Sequence, residues 1–213
     1  MTGDNNIDAR IKGGDGSVPR AAEKIMQVAR DLFYRQGIRA IGVDEIVRTA
    51  GVTKPSLYRS FASKDELAAC YLRQYDREFW GRFDEAVAAH PGEPRTQIVA
   101  FLTRVEKRTQ KSGYRGCGMT NAAVEYPDRE HPARLVSEEN KRELRRRLRA
   151  MARDMGAHDA ETLGDGLLLL IEGAYISGQL FGKGGPAKSV ARNADLLIEA
   201  SLDAARSPEI AAG

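Results

Sequence analysis

A chain of 213 residues, 42% hydrophobic and 30% charged, is long enough for one large or two small domains with a sizeable core. No apolar run approaches the ~18 residues of a membrane span, and two cysteines, Cys70 and Cys117, supply neither a disulfide framework nor metal-ligand spacing. The formal net charge is only +3, yet residues 18 to 64 hold nine Lys/Arg against four Asp/Glu, so a basic N-terminal segment precedes a slightly acidic remainder. The leader is acidic and glycine-rich rather than basic and then apolar, so the expected location is the cytoplasm.

Residues 1–17 (MTGDNNIDARIKGGDGS) are polar and without period, which predicts a disordered tail. Its Arg10 and Lys12 are expected in solvent, with a minor-groove arm as the alternative. From Val18 to Gln36 the residues Ile25, Ala29, Leu32 and Phe33 recur at helical spacing, and Gly37 closes the helix. Val43, Ile46, Val47 and Ala50 then give a short helix with one apolar face. Gly51 supplies the turn and Thr53 the cap of a third helix. That third helix spans only about two turns, because Ser63-Lys64-Asp65-Glu66 is a capping box announcing the next. Leu57 and Phe61 share its inward side; Pro55, Ser56 and Arg59 lie opposite, flanked by Tyr58 and Ser60.

A helix this short buries too little to stand alone. An apolar inner side with donors, a ring and a guanidinium outside suits the second helix of a helix-turn-helix, whose first residues meet base edges in the major groove. A helical hairpin with a solvated outer face is the alternative. The stretch AGVTKPSLYRSFASKDEL, from Ala50 to Leu67, resembles the recognition-helix signature of the TetR (tetracycline-repressor) family of bacterial transcription regulators. Alanine-glycine-valine precedes a capping residue, then come leucine-tyrosine, a closing aromatic and a lysine that opens the next helix. The match extends over about Ala21 to Leu72. One position departs from the pattern: where the family usually places Ser or Thr to cap the preceding helix and meet a phosphate, this chain has Gly42, a tolerable cap without a hydroxyl.

Ser63 starts a long helix to about Ala89, carrying Leu67, Tyr71, Tyr75, Phe79, Trp80 and Phe83, and Pro91-Gly92-Glu93-Pro94 breaks it. Arg95 to Lys111 forms the next, with Ile98, Phe101, Leu102 and Val105 inside. A glycine loop at 113–118 leads to a shorter helix ending near Tyr126. Pro132 to Asp154 reads as one charged helix and Ala160 to Phe181 as the most apolar one. Gly182 to Pro186 turns the chain into a last helix, Val190 to Ala205. No strand pattern appears, so the expected fold is all-α with about nine helices. Its expected parts are the tail 1–17, a helix-turn-helix domain 18–64 and a ligand-binding and dimerisation domain 65–213.

Lys54 and Arg59 are the candidate base readers, since both reach guanine acceptors in the major groove. Pro55 is placed against a thymine methyl, Ser56, Tyr58, Ser60 and Lys64 on phosphates, and Thr53 on its cap first and a phosphate second. One short helix distinguishes few base pairs, so two copies are expected on a palindromic operator. The seam is assigned to Leu163, Leu167, Leu170, Ala174, Ser177 and Gly178 together with Leu196 and Leu197. The resemblance implies a four-helix bundle of the last two helices with their symmetry mates; burial inside their own domain is the alternative. The remaining chain exceeds what dimerisation needs, which points to a cavity for a small, largely apolar effector whose filling shifts the two heads. Candidate lining residues are Trp80, Phe83, Phe101, Val105, Tyr114, Met119, Asn121, Tyr126, Met151 and Tyr175, with Asn121, Glu125 or Glu172 as polar anchors; plain core packing is the alternative for each.

The resemblance implies repression; activation, or redox control through Cys117, are alternatives on the same fold, and a protein-binding helical adaptor is the alternative of another class. The chain carries no nucleophile–base pair, metal motif or phosphate loop, so neither enzymatic activity nor a cofactor is expected. Glu125, Asp128, Glu130 and His131 crowd together but read as a polar loop beside prolines. The basic run Lys141 to Arg149 (KRELRRRLR) alternates with Glu138, Glu139 and Glu143 at helical spacing and reads as a solvated face.

Overall fold

The computed structural model describes residues 20–206, and among them the regular elements are nine α-helices and one short 3-10 turn, without a strand. The tail 1–17, with Arg10 and Lys12, lies outside the described residues. In chain order the helices are α1 (Arg20–Gln36), α2 (Val43–Ala50), α3 (Lys54–Ser60), α4 (Lys64–Ala88), α5 (Pro94–Thr109), α6 (Gly118–Glu125), α7 (Pro132–Asp154), α8 (Ala160–Phe181) and α9 (Val190–Arg206). The 3-10 turn, Pro186–Ser189, tightens the entry to α9 where the sequence pattern indicates only a loop. The chain divides into two compact units. The first runs to Asp76 and takes in Gly118–Glu138; the second comprises Arg77–Cys117 and the chain from Glu139 on, so α4 and α7 contribute to both.

In the first unit, Ala22, Ile25, Ala29 and Phe33 of α1 cover Ile46 and Leu57 of the two short helices, all buried. Phe33 meets the Tyr71 ring edge-on at 5.7 Å, which seats α1 on the first half of α4. The segment 118–138 completes this unit through its polar groups. Arg39 N–H donates to Glu125 Oε2 at 2.8 Å, and the Arg39 guanidinium donates to the Glu125 carbonyl at 3.2 Å. A Cβ built on Gly37 would lie 3.1 Å from Glu125 Oε1, and Gly37 has φ +95°, so this turn takes glycine for its conformation and for its space. The Arg134 guanidinium donates to the Ala123 carbonyl in the last turn of α6 and to the Tyr126 carbonyl just beyond it. His131 stacks on Tyr126 with ring centres 3.6 Å apart and sets Nε2 3.4 Å from Asp65 Oδ1. Glu130 N–H donates to Asp128 Oδ1 at 3.0 Å. Asp128 is thus engaged within the loop, while Glu125 and His131 reach Arg39 and Asp65 outside it.

The second unit is built on edge-to-face aromatic rings. Phe79, Trp80, Phe83 and Phe101 meet at centroid distances of 5.0 to 5.8 Å, and the Arg147 guanidinium lies 4.1 Å from the Trp80 ring centre. The basic run of α7 is tied down by carboxylates. Arg145 and Arg149 both grip Asp165 of α8, Arg146 and Arg147 share Glu143, and Arg147 also reaches Asp84. Two close helix crossings need glycine for lack of space. A Cβ on Gly164 would come 2.7 Å from Arg149 Cα, and one on Gly178 would come 2.6 Å from Thr109 Cβ.

The residues assigned to the seam from sequence differ in their burial within the chain. Leu163, Leu167, Ala174 and Gly178 are buried in their own chain, Leu170, Ser177 and Leu197 are half-buried, and Leu196 is exposed. The exposed apolar row is a different one: Leu169 (72%), Gly173, Ile176 (52%) and Leu180 (69%) repeat at helical spacing along α8. Because the helix is apolar nearly all round, periodicity leaves its phase open, and only packing against α5 and α9 selects the inner side.

Candidate nucleic-acid interface

Local chemistry dictates the start and stop of α3. Thr53 is extended (φ −96°, ψ 155°) and its hydroxyl accepts the Ser56 N–H at 3.4 Å, while Pro55 occupies the first turn, where a missing N–H is harmless. Phe61 returns the backbone to the extended region after seven helical residues. Ser63 Oγ accepts the Glu66 N–H at 3.0 Å, and the Glu66 carboxylate accepts the Ala62 N–H, so the capping box begins α4 at once. The turn between α2 and α3 is made by Gly51 at φ +63°, whose N–H, with that of Val52, closes on the Arg48 and Val47 carbonyls. Leu57 and Phe61 are buried, which fixes the roll of α3 and turns Lys54, Pro55, Tyr58 and Arg59 outward.

The outward side is organised by short polar contacts. Arg59 Nη2 donates to Ser56 Oγ at 2.9 Å, and Ser56 Oγ lies 3.1 Å from Thr53 Oγ1, so the guanidinium is drawn back toward the N-terminal end of its own helix. Lys54 Nζ pairs with Asp44 Oδ1 of α2 at 2.7 Å, and this hydrogen bond raises the lysine pKa above its ordinary value. Tyr58 is 51% exposed. Two of the expected phosphate partners are otherwise occupied: Ser60 Oγ donates to the Ser56 carbonyl at 3.2 Å, and half-buried Lys64 donates to the Arg39 carbonyl at 3.4 Å. Burial lowers the Lys64 pKa. Thr53, Lys54, Pro55, Ser56, Tyr58 and Arg59 are therefore brought together, and Ser60 and Lys64 are turned to internal acceptors. Gly42 caps α2 in the extended region without a side-chain bond. Asp44 is the member of this site that sequence reasoning passes over. Its separation from Lys54 matches no local rule, and only the turn at Gly51 brings them together.

The expected effector residues divide between the units. Met119, Asn121 and Tyr126 belong to the first; Trp80, Phe83, Phe101, Val105, Tyr114, Met151 and Tyr175 belong to the second. Burial and the nearby carboxylates Asp65 and Glu125 push the Tyr126 hydroxyl up to about 12. Of the polar anchors, Glu125 holds Arg39, and Glu172 Oε1 accepts from Lys141 Nζ at 2.6 Å. Lys141 also lies 3.5 Å from Cys117 Sγ and 5.3 Å from the centre of the Tyr175 ring. This part-buried cation–carboxylate–thiol group is a second feature absent from the sequence reading, since its members come from three separate segments.

Residues 25–69 match the model of bacterial regulatory proteins of the tetR family. A TetR-family transcriptional regulator from Streptomyces coelicolor superposes with a TM-score of 0.77 at 29% identity, over 86% of this chain and 95% of that one. The transcriptional regulator AcuR of Cereibacter sphaeroides is 25% identical over 181 residues, 81% of this chain and 82% of its own length. The transcriptional activator FasR of Mycolicibacterium smegmatis is 34% identical over 122 residues, 54% of this chain and 55% of its own. Another relative is named as a repressor.

Proposed function

This chain belongs to the TetR family of bacterial regulatory proteins, and from that premise we propose that it binds a palindromic operator as a homodimer through the outward side of α3. It is a transcriptional regulator with a DNA-binding domain, and its relatives are regulators rather than enzymes. The observation that carries the finer reading is the roll of α3: Leu57 and Phe61 buried, with Lys54, Pro55, Tyr58 and Arg59 held outward. In this reading Lys54 and Arg59 contact guanine acceptors and Thr53, Ser56 and Tyr58 contact phosphates. Ser56 orients Arg59, since the hydroxyl already holds the guanidinium. Ser60 and Lys64 reach phosphates only by giving up or sharing their internal acceptors.

The dimer is proposed to form through Leu169, Gly173, Ile176 and Leu180 of α8 with Leu196 of α9, because an exposed apolar row of this length marks an interaction surface. The body is proposed to release the operator on taking up a small effector, apolar over most of its surface. A polar group on the effector would meet Lys141 and Glu172. Because α4 and α7 each contribute to both units, a shift in the body is expected to move the head. Repression is the proposed sign of control, supported by the repressor among the relatives; the activator among them supports the second reading.

Selection of bound DNA from a random pool tests the proposal. A recovered palindrome, bound with steep salt dependence, is the expected result. Absence of enrichment at low ionic strength contradicts it.

A further inference from the structure

Lys54 opens α3, and Asp44 lies in the first turn of α2, so their ion pair joins the N-terminal ends of the two helices of the helix-turn-helix. Both side chains are largely open, 51% and 80% exposed. A pair this exposed adds little to stability, and its place in the fold is more informative. In a helix-turn-helix the first helix crosses the phosphate backbone while the N-terminal end of the second enters the groove. A carboxylate at that junction is repelled by the phosphates it approaches, and here it also holds the nearest lysine. The residue capping α2 brings no hydroxyl, and nothing lies within 4 Å of where a Gly42 Cβ would be. The first turn of α2 carries two acids, Asp44 and Glu45, and Asp44 is exposed.

We propose that Asp44 is a specificity-determining residue of the DNA head: it holds Lys54 against α2, withdrawing a free-swinging cation from passing phosphates and offering the ammonium to bases in one orientation. The inference rests on the reading of this chain as a DNA-binding regulator. Non-specific binding counts the phosphates that mobile cations neutralise, so pairing Lys54 weakens it on every sequence. A base contact depends instead on geometry. An ammonium has three N–H donors and can keep one on Asp44 while giving another to a guanine acceptor. Selectivity then comes from a cost placed on the wrong duplex as much as from a gain on the right one.

The test titrates full-length protein against the duplex recovered by selection and a shuffled duplex of equal length, at several salt concentrations. Wild type is compared with Asp44→Asn, Asp44→Ser and Asp44→Glu, and with Asp44→Asn in a Lys54→Met background. Removing the charge is expected to tighten binding to the shuffled duplex by roughly three- to tenfold and to steepen its salt dependence by about one charge. The selected duplex is expected to gain less than the shuffled one, or to lose affinity, because the fixed orientation of Lys54 is lost along with the repulsion, so the ratio between the duplexes falls. Asp44→Glu should stay near wild type, and the effect of Asp44→Asn should vanish in the Lys54→Met background. An unchanged ratio between the duplexes overturns the inference, as does an equal loss on both at constant salt slope, which assigns Asp44 to the start of α2 alone. A gain that persists without Lys54 overturns it too. Wild-type protein that binds neither duplex at low salt overturns the underlying reading as well.

Discussion

Helices α3 and α8 each leave one row of side chains unburied, and the two rows could hardly differ more. The row on α3 is short and polar, a lysine, a proline, a tyrosine and an arginine wired by Ser56 and Asp44. The row on α8 is long and aliphatic, with Leu169, Ile176 and Leu180 more than half exposed and glycine between them. Polar donors held in place on a two-turn helix fit a ligand that is itself polar and periodic, whereas an aliphatic row on a six-turn helix fits another apolar surface. The contrast is the basis for proposing nucleic acid as the partner of the first and a second copy of the chain as the partner of the second.

The sharpest separation comes from the two sides of α8. Leu167→Ala, on the buried side, is expected to cost about 2–5 kcal/mol of stability, read from denaturant unfolding. Ile176→Asp combined with Leu180→Asp, on the exposed side, should leave the subunit folded and convert the dimer to monomers. Sedimentation checks that, and operator affinity should fall on the order of a hundredfold as the second head is lost. If the double variant stays dimeric, the seam lies elsewhere.

Charge offers a finer cut. Glu143 accepts hydrogen bonds from Arg146 and Arg147, and these hold its pKa at about 2 against an ordinary 4.5. A carboxylate depressed in the folded state stabilises above its unfolded value and loses that contribution as pH falls from 4.5 toward 2. Glu143→Gln should therefore lower the melting temperature at neutral pH and not at the acid end. Solvent screening limits the difference to about 1 kcal/mol. Arg146→Ala should leave operator affinity within about twofold, because the basic run of α7 is paired with carboxylates rather than offered to phosphates. The smallest effect is expected at Gly42, where the backbone is extended and the space around a Cβ is open. Gly42→Ser should stabilise α2 by a few tenths of a kcal/mol and tighten operator binding slightly, read from melting and titration.

The helices were legible because their signals are local. Thr53 caps α3, Ser63 and Glu66 start α4, and prolines fence α5 and α7, so their boundaries follow within a residue or two. The roll of α3 was legible as well, since Leu57 and Phe61 are the apolar residues at the right spacing. What escaped depends on tertiary packing. Helix α8 has apolar residues on every side, so only its neighbours decide that Leu163 and Leu167 face inward and Leu169 outward. The return of Gly118–Glu138 to the head, through Glu125 on Arg39, joins residues 86 positions apart. Asp44 on Lys54 and Lys141 between Cys117 and Glu172 are likewise pairings that no periodicity announces.

The central claim is tested most directly by titrating wild type and Arg59→Ala against every single-base variant of the selected duplex. The account predicts a loss of ~1–3 kcal/mol for Arg59→Ala, with discrimination relaxed at one position in each half-site and in symmetric places. An unchanged preference at every position, or a change confined to one half of the duplex, would contradict it.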